Sequence, residues 1–243
     1  FGPEYPNLDS LATGEWWAKR AAAAAAPKKK QGQPPPPAMD VPRDQVVAFA
    51  LYTAEAGVLK LTAQLFPLRP GEPREARLEF FRDGQWREAR RAPVLYPGWS
   101  AHFRVESWDS SADVRYRVRH GANATFEGLI GRDPRDKPEI VVASLSCNSS
   151  RTTGPRPEII EHLRAQNPDL LFFAGDQTYR HTEHTAGWIE FGLQFRDVMR
   201  DRPTISIPDD HDVGHGNLWG ENGKRSLRPD GSDGGYIYPV DYV

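Results

Sequence analysis

Three short apolar runs, each closing on chemically capable residues, constrain this chain more than any other feature. Residues 140–145 run into Ser146, Cys147 and Asn148. Residues 170–174 run into Gly175, Asp176, Gln177, Thr178 and Tyr179, and residues 203–207 into Pro208, Asp209, Asp210, His211 and Asp212. Apolar runs of this length without polar alternation predict strands buried on both faces. Thr153-Gly154-Pro155-Arg156-Pro157 opens a helix between the first two runs, since Pro fits a first helical turn, and Asn167-Pro168 ends it. Ile159, Ile160 and Leu163 supply its apolar face. A second helix is expected over about 185–200, although Gly187 and Gly192 weaken its propensity. Strand–helix–strand–helix–strand order requires crossovers, hence a mainly parallel sheet. Open α/β sheets bind their ligands at the carboxyl ends of the strands. The sequence therefore sets a thiol, carboxylates, a phenol and an imidazole along one sheet edge.

The chain before this region divides in two. Residues 1–40 hold a run of six alanines, three lysines and Pro34-Pro35-Pro36-Pro37, and predict a disordered or extended linker without a core. From residue 41 to 135, short β-prone runs recur at about 8–12-residue spacing with turn signals between them, the pattern of an all-β sandwich of immunoglobulin or fibronectin type III style. Residues 46–52 are apolar throughout, residues 114–119 alternate, and Asp83-Gly84 marks a tight hairpin. Alternation puts Val114, Tyr116 and Val118 on one face, and Arg115, Arg117 and Arg119 on the other. That arginine row reads as the wet side of a strand. His102 and His120 have no acidic or cysteine partners at ligand spacing. The charged, proline-broken segment 132–138 marks the expected boundary, so residues 136–243 form the second domain.

Composition narrows the function classes. A net charge of −2 gives no general attraction to nucleic acid, so no nucleic-acid platform is expected. No run approaches the ~18 apolar residues of a transmembrane segment. One cysteine excludes an internal disulfide framework. The first residue is Phe1 and no signal peptide is present in the chain, whose ends both look like cuts.

The residues at the three strand ends suit a bound cation. Asp176 can offer both carboxylate oxygens, Tyr179 lies within one turn of it, and Cys147 can supply a thiolate. Asp209, Asp210 and Asp212 crowd around His211, and such like charges repel unless a cation sits among them. His211 could be a ligand, or an acid facing a leaving group. Asn217 offers a neutral amide oxygen. Each piece has a plainer reading: a buried cysteine is often a small hydrophobe, and Gly-Asp after a strand is often a turn or a helix cap. Their occurrence at consecutive strand ends favours the chemical reading.

These motifs resemble a known family. Gly175-Asp176-Gln177-Thr178-Tyr179 resembles the Gly-Asp-x-x-Tyr block of purple acid phosphatases and PhoD-like alkaline phosphatases. Asp209-Asp210-His211-Asp212 is similar to the Asp-Asp-His-Asp/Glu block of the PhoD-like group. Ser146-Cys147-Asn148 matches its pattern of a Cys in place of the first Asp. A β-sandwich before the phosphatase domain is typical of the same group. The resemblance implies an α/β metallophosphoesterase domain holding Fe3+ and Ca2+. Cys147 and Tyr179 would bind the iron, Asp176 would bridge the two ions, and Asn217 or its rival Asp210 would bind calcium. His211 would face the phosphate, with Asp210 beside it in the catalytic pair. The family's further Asp and His ligands lie downstream of these motifs, so the chain is expected to hold the N-terminal half of that domain and to be inactive alone if the rest is required.

The implied activity is hydrolysis of a phosphate mono- or diester by a hydroxide bridging two metal ions, with no covalent enzyme intermediate. Asn148, Arg151 and His184 are the candidate substrate contacts, and the substrate is a small-molecule, lipid or nucleotide phosphoester. Export to a periplasmic or extracellular location follows from the resemblance. The alternatives are a β-sandwich binding module attached to a degenerate phosphatase domain, and a metal-dependent hydrolase of non-phosphate esters.

Overall fold

The computed structural model describes residues 38–148, 155–180, 183–213 and 225–228. Within them, β1 (Val47–Glu55), β2 (Val58–Leu65), β3 (Glu75–Arg82), β4 (Gln85–Leu95), β5 (Ser100–Glu106), β6 (Val114–His120) and β7 (Ala124–Ile130) come first. Then β8 (Val142–Leu145), α1 (Pro157–Gln166), β9 (Leu170–Ala174), α2 (His184–Met199), β10 (Thr204–Ile207) and the helical turn α3 (Asp210–Val213) alternate. The linker assigned to residues 1–40 falls almost entirely outside the described residues.

The first seven strands form an antiparallel sheet in the order β1-β2-β5-β4-β3-β6-β7. It folds over at β4. Residues 85–93 of that strand pair with β3, whereas Val94 and Leu95 pair with β5. The result is two packed layers joined through one strand. Tyr52 of β1 meets Tyr116 of β6 across the interior, ring centroids 6.3 Å apart, and Leu59, Leu61, Leu78, Val118 and Ile130 fill the space between the layers. The Asp83-Gly84 hairpin adopts positive φ at both residues, +52° and +75°, as the tight connection requires. The alternation in β6 holds: Tyr116 and Val118 are buried, and the arginines line the outer face. There Arg117 pairs with Glu79 at 2.5 Å and lies 4.4 Å over the Trp86 ring, while Arg115 reaches Glu127 at 3.4 Å. The row is an ion-pair and cation–π lattice on a sheet surface.

The last three strands form a parallel sheet in the order β10-β9-β8, with β9 in the middle. The α1 helix begins with Pro157 in its first turn and ends at Asn167, whose φ of +45° closes the helix while its N–H reaches Leu163 O and Arg164 O. One face of the sheet carries Leu171 and Phe173. Phe173 packs edge-on against Phe191 and Phe195 of α2, with centroids at 4.8 and 5.1 Å.

Burial on both faces, expected for β8, β9 and β10, is corrected by the structure. Val142 is 50% exposed, Ile205 39% and Ile207 45%. Their partners across the ladders are Leu170, Phe172 and Ala174, all half-buried. The apolar runs reflect a sheet with one helix-covered face and one open apolar face. Burial on both sides belongs instead to β1. Its inward residues, Ala50 and Tyr52, face the sandwich interior, and Phe49 on the outer side packs against Trp188 of α2 at 5.7 Å. So α2 lies between two sheets, with the sandwich on one side and the parallel sheet on the other.

Gly192 and Gly187 make this position reachable. A Cβ on Gly192 would sit 1.9 Å from the Phe49 ring, and one on Gly187 would sit 2.3 Å from Thr178 Oγ1. The glycines that weaken helix propensity are the places where α2 touches its neighbours most closely.

Candidate metal centre

The loops after β8, β9 and β10 meet at one end of the parallel sheet. Two backbone hydrogen bonds join the first pair: Cys147 N–H donates to Gly175 O at 3.4 Å and Asn148 N–H to Asp176 O at 2.8 Å. Gly175 has a φ of +89°, and a Cβ there would lie 2.3 Å from Asp209 Cβ, so the second and third loops also pass in contact. Cys147 and Asp176 themselves hold φ near +57°. Non-glycine residues in that region cost about 1–3 kcal/mol each and cluster at functional sites.

The backbone brings together Cys147, Asp176, Tyr179, Asp210 and His211. Ligand atoms of Asp176, Asp210 and His211 all lie within 4.8 Å of one another, with both aspartates buried and the imidazole half-buried. The Cys147 Sγ sits 3.7 Å from Asp176 Oδ2, and the Tyr179 hydroxyl donates to that oxygen at 2.8 Å. The Tyr179 and His211 rings are 4.2 Å apart. Desolvation, reinforced by the hydrogen bond to Asp176, pushes the Tyr179 phenol well above its ordinary range. Arg180, paired to Glu190 at 2.6 Å and Glu183 at 3.2 Å, fastens the far end of the Asp176 loop to α2.

Asp176 is only 6% exposed. Its Oδ2 is engaged, but its Oδ1 is buried without a hydrogen-bond partner among the described residues. A buried carboxylate oxygen left unpaired is costly, and buried charges are paired or coordinate metals. Oxygen, nitrogen and sulfur donors from three chain segments gather around the Asp176 carboxylate. This donor set fits a borderline or hard cation, and the residues present therefore suit a metal centre.

The remaining candidates lie elsewhere. Asn148 turns inward: its amide donates to Gln177 O at 3.0 Å and to Gln194 Oε1 at 2.7 Å, and its donors are spent inside the protein. His184 begins α2 and lines a cleft of about 390 Å3 between the sandwich and the sheet, with His102, Trp188 and Asp212. Arg151 and Asn217 lie outside the described residues.

From the sequence, Gln177 had no role of its own, and Asp212 counted only among the acids crowded around His211. Gln177 is buried, and its amide donates to Ile207 O at 2.9 Å and Phe173 O at 3.4 Å. Asp212 accepts the N–H of Thr178 and of Asp209, each at 3.1 Å. Burial, aided by the nearby charge of Asp176 and only partly offset by those N–H groups, raises the Asp212 carboxyl to about 6. Their signal was position: each follows directly on a candidate ligand, where the alternating chain turns inward.

Solved structures are similar to this chain in fold. One, titled "Structure of PhoD", aligns with a TM-score of 0.57 at 14% identity, over 84% of this chain and 43% of that one. Over the aligned part the fold is PhoD-like. The second, purple acid phosphatase PPD1 from yellow lupin (Lupinus luteus) seeds, aligns with a TM-score of 0.54 at 14% identity, over 78% of this chain and 38% of that one. The chain spans less than half the length of either phosphatase. No protein-family model and no curated protein sequence matches it. The PhoD-like fold places the strand-end loops of β8, β9 and β10 at the edge where the candidate ligands meet. No helix among the described residues is long and apolar enough to cross a membrane.

Proposed function

We propose that this protein hydrolyses phosphate mono- or diesters, using metal ions held by Cys147, Asp176, Tyr179 and Asp210, with His211 facing the phosphate. The observation that carries the reading is the buried Asp176 carboxylate, whose Oδ1 has no hydrogen-bond partner among the described residues, within a cluster of metal-ligating side chains. The two oxygens of Asp176 have different surroundings: Oδ2 lies on the Cys147–Tyr179 side, and Oδ1 is free to serve a second position. This is the donor arrangement a bridging carboxylate needs. By the family resemblance Cys147 and Tyr179 would hold Fe3+, Asp210 or Asn217 would hold Ca2+, and Asp176 would serve both. When bound, such ions lower the pKa of a water and offset the charge of the phosphoryl oxygens.

The chain's own groups do the rest. His211 is half-buried at the rim of the cluster, stacked near Tyr179, where an imidazole can donate a proton to a departing alkoxide. Asp210 is buried beside it, with ligand atoms of the two residues within 4.8 Å. The substrate is a small-molecule, lipid or nucleotide phosphoester, and the protein acts after export, as PhoD-like enzymes do.

The test is hydrolysis of p-nitrophenyl phosphate, bis-p-nitrophenyl phosphate and p-nitrophenyl acetate after incubation with Fe3+ and Ca2+. Metal-dependent turnover of either phosphoester, abolished in Asp176→Asn, is expected. Turnover confined to the carboxylic ester would overturn the proposal.

A further inference from the structure

Each candidate ligand loop carries a polar residue that turns away from the cluster and ties its loop to another. After Cys147 comes Asn148, whose backbone N–H reaches Asp176 O at 2.8 Å and whose amide reaches Gln177 O at 3.0 Å. After Asp176 comes Gln177, whose amide reaches Ile207 O at 2.9 Å, at the end of β10. After His211 comes Asp212, whose carboxylate collects the N–H groups of Thr178 and Asp209 at 3.1 Å each. The stitching runs from β8 to β9 to β10 and back. Gln194 of α2 anchors one corner at 2.7 Å from the Asn148 amide.

We infer that Asn148, Gln177 and Asp212 form a positioning layer beneath the metal centre, and that this layer sets the spacing of the ligands above it. The inference rests on the metal-centre reading. Its physical basis is that the ligands come from separate loops that share no disulfide. Cys147 and Asp176 stand in the left-handed region, which the chain holds only where its surroundings over-determine it. The inward residues supply that constraint. Gln177 is the hub, because its backbone carbonyl receives β8 and its side chain reaches β10. Partners that orient metal ligands without touching the ion typically change affinity 10–100-fold when removed. None of the three is a catalytic residue.

The experiment is a Co2+ titration of the protein, following affinity by chelator competition and coordination by the visible absorption of the bound ion. The variants are Gln177→Met, which keeps the shape and removes the amide, Asp212→Asn, Asn148→Ala, and the ligand variant Asp176→Asn. Gln177→Met and Asp212→Asn are expected to bind Co2+ about 10–100-fold more weakly. At saturation they should show an altered absorption spectrum, which a merely structural role would not produce. Asn148→Ala should fall between them and the unaltered protein. Wild-type affinity and spectrum in folded Gln177→Met and Asp212→Asn would overturn the positioning layer alone. Failure of the unaltered protein to bind Co2+, or undiminished binding by Asp176→Asn, would overturn the metal-centre reading and this inference with it. If Gln177→Met does not fold, as judged by circular dichroism, Asp212→Asn decides.

Discussion

Gly192 lies against Phe49 so closely that a single added carbon would fall 1.9 Å from the ring. The ring is 1% exposed, and Trp188, one turn earlier on the same helix, packs against it at 5.7 Å, so it has no free volume to enter. Helix propensity alone would favour alanine at this position by about 1 kcal/mol. Overpacking a closed core costs about 1–3 kcal/mol. Gly192→Ala is therefore expected to destabilise the protein in denaturant titration. A gain in stability would show that α2 does not approach the sandwich as described.

The thiol and the phenol both approach Asp176 Oδ2, at 3.7 and 2.8 Å. If they share one ion, Cys147→Ser should remove the sulfur-to-metal absorption that appears on adding Co2+, while some affinity survives through oxygen donors. Asp176→Asn should weaken binding by at least ~100-fold, more than a supporting residue does. A Co2+ spectrum unchanged in Cys147→Ser would place the sulfur outside the coordination sphere.

Tyr52 and Tyr116 touch across the sandwich core, yet their hydroxyls differ. The Tyr52 oxygen accepts the Gly131 N–H at 2.9 Å, whereas the Tyr116 hydroxyl is buried with no hydrogen-bond partner among the described residues. Burial pushes both phenols well above the ordinary tyrosine range, so both stay neutral. Tyr52→Phe strands a buried N–H and should cost about 1–3 kcal/mol. Tyr116→Phe removes an unsatisfied group and should be neutral or slightly stabilising. The reverse order in thermal unfolding would refute this assignment.

Asp169 fastens the segment before β8 to the start of β9. Its carboxylate takes the Lys137 ammonium at 2.5 Å and the Val141 N–H at 3.0 Å. Partial burial acts to raise its pKa, but the ammonium and the N–H outweigh it and hold it below the ordinary aspartate range. A depressed carboxyl adds stability above the unfolded-state value and loses it as pH falls through the folded one. Asp169→Asn should therefore be less stable than the unaltered protein at neutral pH, and the gap should close in acid. A gap that persists below the titration would assign the effect to packing.

The candidate ligands were legible because each follows directly on a short apolar run, and the carboxyl ends of parallel strands share one sheet edge. Asp83-Gly84 and Asn167 were legible for a similar reason, since backbone geometry there admits few residue types. Asn148 was read as a substrate contact; its amide donors go to Gln177 and Gln194, and Gln194 lies 46 positions on, out of reach of any local pattern. Periodicity could not say which apolar runs are covered twice. Residues 46–52 and 170–174 are both continuous apolar runs in sequence, but only the first is buried on both sides. Gly187 and Gly192 were read as helix-weakening because close approach is a property of the neighbour.

The α2 helix is loaded from both sides. Phe49 bears on one flank and Phe173 on the other, and Gln194 on the same helix holds Asn148 behind the thiol. A fault seeded in the sandwich has a short mechanical route to the ion-binding edge. Damage at Phe49 should register as poorer metal retention well before the β-sheets melt.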